Sequence, residues 1–253
     1  MTLMIKIQIN DKYEYMRAFV ESIPEIFEHT GEILYDKRNR IKKIIAPDGT
    51  PINVKRYHVP SFINRLIYSY GLRKAKGLRA YTYPAILHSH GIETPDAIAY
   101  IEERNHGLLG YSYLVTTQCL YEHELYDLGR AAEGTYEEMT AALAQTTARM
   151  HESGIMHRDY SPGNVLWTKK ADGYHFSLLD INRMYFGPVS MRQGCRNFAR
   201  LWAPRKAFII MAHEYARARG FDEAECERLV IKYRTAFWKR YSKRHPVNYP
   251  LEL

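Results

Sequence analysis

The sequence predicts an α+β fold in two parts, a β-rich first half and a mainly helical second half. Three observations predict it. Short strand-like runs separated by Gly-, Pro- and Asn/Asp-containing turns fill the chain up to residue 117. Apolar residues at spacings of three and four recur after residue 134. A connector at Gln118–Glu122 separates the two patterns. We read residues 1–253 as a single domain: a first lobe over about 1–118, a hinge at about 118–122, and a second lobe over about 123–253.

Each element rests on its own signal. Residues 3–9 (LMIKIQI) suit a short strand, and Tyr13–Phe27 suits a helix that breaks near Pro24. Gly31–Asp36, Ile41–Ala46 and Pro51–His58 read as three strands, joined by turns at Lys37–Arg40 and at Pro47-Asp48-Gly49, where Asp-Gly favours a hairpin. A basic segment, Ser61–His90, reads as helical or irregular because Gly71, Gly77 and Pro84 interrupt it. Ala97–Glu103 and Tyr111–Thr117 are strands around the turn Asn105-His106-Gly107. The first half is thus expected to be a five-stranded antiparallel sheet with one helix. In the second half, Thr135 and Glu138 have the spacing of a capping box, Met139, Leu143 and Met150 share a helical face, and Gly154 stops that helix. A further helix starts near Asp222, with Cys226, Leu229, Val230, Tyr233 and Phe237 as its apolar face.

Bulk properties narrow the class without choosing a function. A 46% hydrophobic and 25% charged composition is that of an ordinary globular protein. The cysteines Cys119, Cys195 and Cys226 are far apart and form no C-x-x-C pair, which argues for a reducing compartment and against structural zinc. The N-terminal MTLMIKIQIN is too short and polar for a signal peptide, and no apolar run suffices for a membrane helix, so a cytoplasmic protein is expected. The net charge of +8 suits anionic partners or a solvated basic surface equally well.

The chemistry concentrates in Gly154–Gly187. His157-Arg158-Asp159 is followed by Asn164 five residues after the aspartate and by Asp180 sixteen after the asparagine. Val165–Thr168 and His175–Leu179 read as strands around the turn Ala171-Asp172-Gly173, and such a hairpin returns Asp180 to the end that holds Asn164. Two oxygen ligands then meet beside a third carboxylate. Phosphoryl transfer needs that set: Mg²⁺, a hard cation, takes the amide and carboxylate oxygens, and a separate carboxylate orients the attacking hydroxyl. Asn164 and Asp180 are therefore the candidate metal ligands and Asp159 the candidate catalytic carboxylate. Any one of them alone is better read as a turn residue; three at this spacing are not. His157 is read as structural.

The run His157-Arg158-Asp159-Tyr160-Ser161-Pro162-Gly163-Asn164 resembles the catalytic loop of the protein-kinase-like superfamily, and Asp180-Ile181-Asn182 its later metal-binding motif. The resemblance implies a two-lobed protein-kinase-like fold that uses ATP and Mg²⁺, with Asn164 and Asp180 also on the nucleotide side. It further implies that Lys55 contacts the α/β-phosphates and that Gly31 belongs to the nucleotide loop. Ser161 stands where protein Ser/Thr kinases carry lysine, and little room follows Asp180 for a peptide-docking segment. With Gly31–Tyr35, Val54-Lys55, Gly91–Pro95, Asp180–Arg183 and Asn197–Leu201, the chain is similar to the lipopolysaccharide kinase family over about residues 28–202. That likeness implies a sugar acceptor, Kdo or heptose of the lipopolysaccharide core or a related glycolipid, reached at the inner membrane face.

Three features depart from the kinase pattern. No glutamate lies between Lys55 and Gly91, the nucleotide loop has Gly31 alone, and Gly77 and Pro84 disfavour a regular helix where the glutamate helix belongs. A nucleotide-binding pseudokinase scaffold and an atypical kinase of a protein or RNA-associated partner therefore stay open. Lys37, Arg38, Arg40, Lys42 and Lys43, with Arg73, Lys74, Lys76 and Arg79, suit an anionic acceptor or an anionic membrane surface. Nucleic acid, attracted by the same charge, is not expected but stays open.

Overall fold

In the computed structural model, which describes residues 3–247 and 249–253, the strand-like segments of the first half pair into one antiparallel sheet of six strands. In chain order these are β1 (Leu3–Ile9), β2 (Glu32–Asp36), β3 (Arg40–Ile45), β4 (Pro51–Tyr57), β5 (Ala97–Asn105) and β6 (Leu108–Thr117). They lie across the sheet as β1-β5-β6-β4-β3-β2. The α+β class stands, with one strand more than the five expected. The addition is β1, whose Ile7 registers against Ile101 on β5. Turn chemistry sets the registers. His106 and Gly107 both have positive φ, 50° and 77°, as a two-residue hairpin requires.

Alternation sorts the sheet's side chains onto two faces. Ile52, Val54, Ile101 and Val115 meet Val20 and Ile23 of helix α1 (Arg17–Ile26) in the main apolar core. Helix α1 does not break at Pro24 as expected. It runs on to Ile26, because burial of Val20, Ile23 and Phe27 offsets the single backbone bond that proline removes. On the other face Tyr57 and Leu114 meet Ala80. Lys55, two residues before Tyr57 and registered against Leu114, shares that second face.

Between β4 and β5 the segment read as helical or irregular forms two helices, α2 (Phe62–Ser69) and α3 (Lys76–Ser89), where one was expected. Helix α3 contains both Gly77 and Pro84, against expectation. Packing explains the glycine: a Cβ there would stand 2.5 Å from the Tyr100 ring. Removing the side chain lets helix and sheet approach, which outweighs glycine's propensity cost of about 1 kcal/mol.

The chain divides into two compact units, one up to Ser89 with Thr94–Cys119, the other His90–Glu93 with Leu120–Leu253. In the second unit, helix α4 (Glu137–Glu152) buries Met139, Leu143 and Met150 as its spacing predicted. Gly154, at φ 71°, follows its C-cap. The predicted capping box does not form. Thr135 bonds the Ala132 carbonyl, Glu137 rather than Glu138 accepts from the Gly134 and Tyr136 N–H groups, and Glu138 pairs with Lys169 at 2.7 Å. From N1, Glu137 thus serves a different pair of N–H groups ahead of the helix.

The short strand β7 (His123–Glu124) precedes α4, and after α4 come β8 (Ile155–His157), a hairpin of β9 (Val165–Lys170) and β10 (Gly173–Leu178), and β11 (Met184–Phe186), which pairs with β8. Helices α5 (Met191–Asn197), α6 (Arg205–Arg219) and α7 (Glu223–Tyr241) complete the unit. Helix α7 starts at Asp222, whose carboxylate caps the Glu225 N–H. Its buried stripe continues through Arg234 and Trp238 rather than Tyr233 and Phe237. The Arg234 guanidinium reaches the Leu251 and Glu252 carbonyls near the chain's end, which gives a buried cation its acceptors.

Candidate active site

The hairpin does what its spacing predicted. Val165 opposes Leu178 in the β9–β10 register, and the Leu179 N–H donates to the Asn164 carbonyl at 2.9 Å. Asn164 and Asp180 therefore leave the same end of the hairpin. The Asn164 amide nitrogen donates to the Asp159 carbonyl at 2.8 Å, which ties the second of the three residues to the first. That bond uses one of the amide's donors and turns its oxygen, an acceptor with two lone pairs, away from Asp159 as the atom that would serve a cation. Asp180 adopts a left-handed backbone, φ 50° and ψ 44°, which an aspartate tolerates better than a branched residue. Its Oδ1 accepts from the buried Asn182 amide at 2.5 Å.

His157 holds the third connection. It is fully buried on β8, its Nδ1 accepts the Asp159 N–H at 3.1 Å, and its Nε2 therefore donates to the Leu179 carbonyl at 2.9 Å. Only the neutral ring can accept and donate in this way. Burial acts in the same direction, pushing the His157 pKa below its ordinary value. One imidazole thus fixes the backbone on both sides of the site, at Asp159 and immediately before Asp180.

Behind it runs a second chain of bonds, buried at His151 and Tyr215. The Asn197 amide donates to the His157 carbonyl at 2.9 Å, and its oxygen accepts from His151 Nε2 at 3.1 Å. His151 Nδ1 then accepts from the Tyr215 hydroxyl at 3.0 Å. Burial lowers the His151 pKa to about 4, so this ring too is neutral near pH 7. Tyr160, buried beside the loop, closes onto the Thr147 hydroxyl at 2.9 Å.

Asp159 itself is half-buried, and two arginines face it. Arg200 Nη1 bonds its Oδ1, and Arg183 Nη1 lies 3.7 Å from its Oδ2. Reading the sequence for single roles missed His151, Asn197, Arg183 and Arg200. Arg183, Asn197 and Arg200 lie within the segments that carry the family likeness, Asp180–Arg183 and Asn197–Leu201, which is the one signal the sequence offered for them; His151 had none.

The remaining candidates sit in the first unit. Lys55 is half-buried on β4, its Nζ 5.3 Å from the centre of the Tyr57 ring. Gly31 precedes β2 at φ 79°, where a Cβ would lie 2.5 Å from the Lys43 carbonyl oxygen. This close approach alone demands glycine there. Lys42 is not a surface cation as expected. It is buried and caps α1 through the Glu28 and Thr30 carbonyls, both at 3.0 Å.

Among the described residues no three His, Cys, Asp or Glu side chains gather as a metal cluster. Two protein oxygens, one amide and one carboxylate, suit Mg²⁺, which takes few protein ligands and completes its shell with phosphate and water. The donor set thus fits that ion.

The model of the lipopolysaccharide kinase (Kdo/WaaP) family matches residues 34–233. The chain belongs to this family. It is accordingly a phosphotransferase. The solved structure described as WaaP in complex with acyl carrier protein superposes with a TM-score of 0.61 at 17% identity, covering 94% of this chain and 98% of that one. At that identity the likeness bears on the fold, and it is the kinase-like fold of the family. The Rio2 kinase–ADP/Mg²⁺–phosphoaspartate complex from Chaetomium thermophilum superposes at a TM-score of 0.47 and 13% identity, over 93% of this chain and 78% of that one. No curated protein matches the chain in sequence. Among the described residues no helix is long and apolar enough to cross a membrane.

Proposed function

We propose that this family member transfers the γ-phosphate of ATP to a hydroxyl of a sugar in the lipopolysaccharide core, Kdo or heptose, or in a related glycolipid. The observation that carries the reading is the tie between the hairpin end and the catalytic loop: Asn164 bonded to Asp159, and His157 bonded both to Asp159 and to the residue before Asp180. Asn164 and Asp180 would hold Mg²⁺, which supplies charge neutralisation for the phosphates when bound. Asp159 accepts the hydrogen bond of the acceptor hydroxyl, aims its oxygen and takes its proton. Lys55 contacts the α/β-phosphates, and Gly31 belongs to the nucleotide loop. The reading also takes the two units as one kinase domain with its hinge near 118–122, working on the cytoplasmic side and peripheral to the membrane.

Arg200 and Arg183 give the reading a further physical support. Each places a cation against the Asp159 carboxylate, where a transferring phosphoryl group would add negative charge, and where Ser161 leaves no lysine to do so.

The test is transfer from labelled ATP to purified core glycolipid. The Asp159→Asn variant is expected to lose at least about a thousandfold in turnover while keeping nucleotide affinity. Unchanged turnover would remove Asp159 from the mechanism. ATP binding without transfer to any sugar, protein or RNA, in the unaltered chain, would instead favour the scaffold reading that the missing helix glutamate motivates.

A further inference from the structure

The first unit exposes four large apolar side chains on one helix and the chain that leaves it. Helix α2 opens on Phe62 and Ile63, 70% and 72% exposed, and the chain leaving it carries Tyr70 and Leu72, 75% and 80% exposed. No residue of α2 is buried. Yet the helix is firmly attached along its other side. Arg65 donates to the Leu109 carbonyl at 2.7 Å, the Ser69 hydroxyl accepts from the Leu109 N–H at 2.8 Å, and Tyr68 packs against Tyr100 and Leu109. The outward apolar side chains are therefore held out on an anchored helix.

Charge says what this surface meets. Between Asp48 and Glu93 the sequence has no acidic residue and seven lysines or arginines. Three other basic residues of the first unit are used internally: Lys42 caps α1, Arg40 pairs with Asp36 and Glu28, and Arg56 pairs with Glu28. Arg73 and Lys74 differ. Both are exposed beside Leu72, and among the described residues neither pairs with a carboxylate. Behind α2 lies a cavity of about 540 Å³ whose lining includes Arg38, His58, Asn64 and Lys76 and no acidic residue.

We propose that α2 and the loop to Lys74 dock on an anionic lipid bilayer. Phe62, Ile63, Tyr70 and Leu72 enter the boundary between headgroups and acyl chains, Arg73 and Lys74 bind headgroup phosphates, and the cationic cavity behind the helix takes a further anionic headgroup. An RNA backbone accounts for the cations but not for Ile63 and Leu72, which cannot stack on bases. A bilayer accounts for both. The proposal deepens the peripheral location given above and is independent of the phosphoryl chemistry, so transfer to a detergent-dispersed acceptor reports on the one and vesicle binding on the other.

The test uses the full chain and flotation with phosphatidylcholine vesicles, with or without phosphatidylglycerol. Binding is expected to require phosphatidylglycerol. Phe62→Ser with Leu72→Ser should weaken it at least about tenfold. Arg73→Gln with Lys74→Gln should weaken it roughly twenty-five-fold, near fivefold for each cation. An Ile63→Trp variant should shift its emission to the blue and be quenched by lipids brominated on the acyl chains. Any of three outcomes overturns the proposal: both double variants floating like the parent, equal binding to neutral vesicles, or an unquenched residue 63 on bound protein. So does binding to RNA with none to vesicles. Thermal unfolding of each variant, expected to match the parent, separates lost docking from lost fold.

Discussion

The catalytic segment and the α2 segment are built in opposite ways. Around Asp159 four of the anchoring groups are buried: His157, His151, Tyr160 and Asn182 are each under one-tenth exposed, and their polar atoms are matched donor to acceptor. Around α2 nothing on the helix is buried, and the cations next to it face solvent. The first arrangement fixes atoms to within a hydrogen bond, as the proposed proton acceptance and metal ligation require. The second fixes little, and a fluid partner requires little. Burial thus separates residues that must hold a geometry from residues that need only be presented.

The largest effect that sharpens this contrast falls on His157. Replacing it with alanine leaves the Asp159 N–H and the Leu179 carbonyl without their shared partner and opens a cavity. His157→Ala is expected to cost about 3 kcal/mol in stability. Transfer should fall as well, because both carboxylates lose a reference point. Urea unfolding together with the labelled-ATP assay checks both. A stable variant with full activity would break the claim that the buried ring positions the site.

A second, pH-dependent effect follows from His151. Its folded pKa, about 4, lies below its ordinary value near 6.5, so the unfolded chain binds a proton that the folded one refuses. The stability it represents is complete above pH 6.5 and is lost as pH falls toward 4, by about 3 kcal/mol in all. His175, on the β9–β10 hairpin, runs the other way. Glu93, 2.7 Å away, and Asp172, 3.0 Å away, raise its pKa, so its contribution is complete below the ordinary histidine value and fades as pH rises through the raised one. Urea midpoints from pH 7 to pH 4 should therefore fall in the parent and fall less in His151→Gln. Parallel slopes would mean that His151 titrates normally.

How much was legible in the sequence follows the same division. The loop His157–Asn164, the hairpin and Asp180 were readable because each depends on neighbours within about twenty residues, through turn chemistry and strand alternation. The buried bonds behind them were not. His151 and Asn197 meet across forty-six positions, and nothing local marks either as a partner. The same blindness hid Lys42, whose role depends on where α1 ends. Gly77 and Pro84 misled because propensity counts a residue's cost and not the packing that requires it. Helix α6 escaped because its buried face is half alanine, Ala207, Ala212 and Ala216 among Phe208, Met211 and Tyr215, and alanine marks no face clearly. In the family likeness the site was legible as a pattern; its rigidity became legible only in three dimensions.

The smallest predicted effect is also the sharpest contrast with His157. Leu72 is 80% exposed, so exchanging it for serine removes almost no contact from the folded state. Leu72→Ser should change stability by no more than about 0.5 kcal/mol in either direction, against the loss of about 3 kcal/mol at His157. Solubility is expected to improve, since one large apolar side chain leaves the surface. Transfer to a detergent-dispersed acceptor should be unchanged, because nothing in the catalytic loop depends on this position. A clear loss of stability would show that Leu72 is covered in the folded protein. The surface around α2 would then belong to the buried class, and the contrast between the two segments would fail at the residue that states it most strongly.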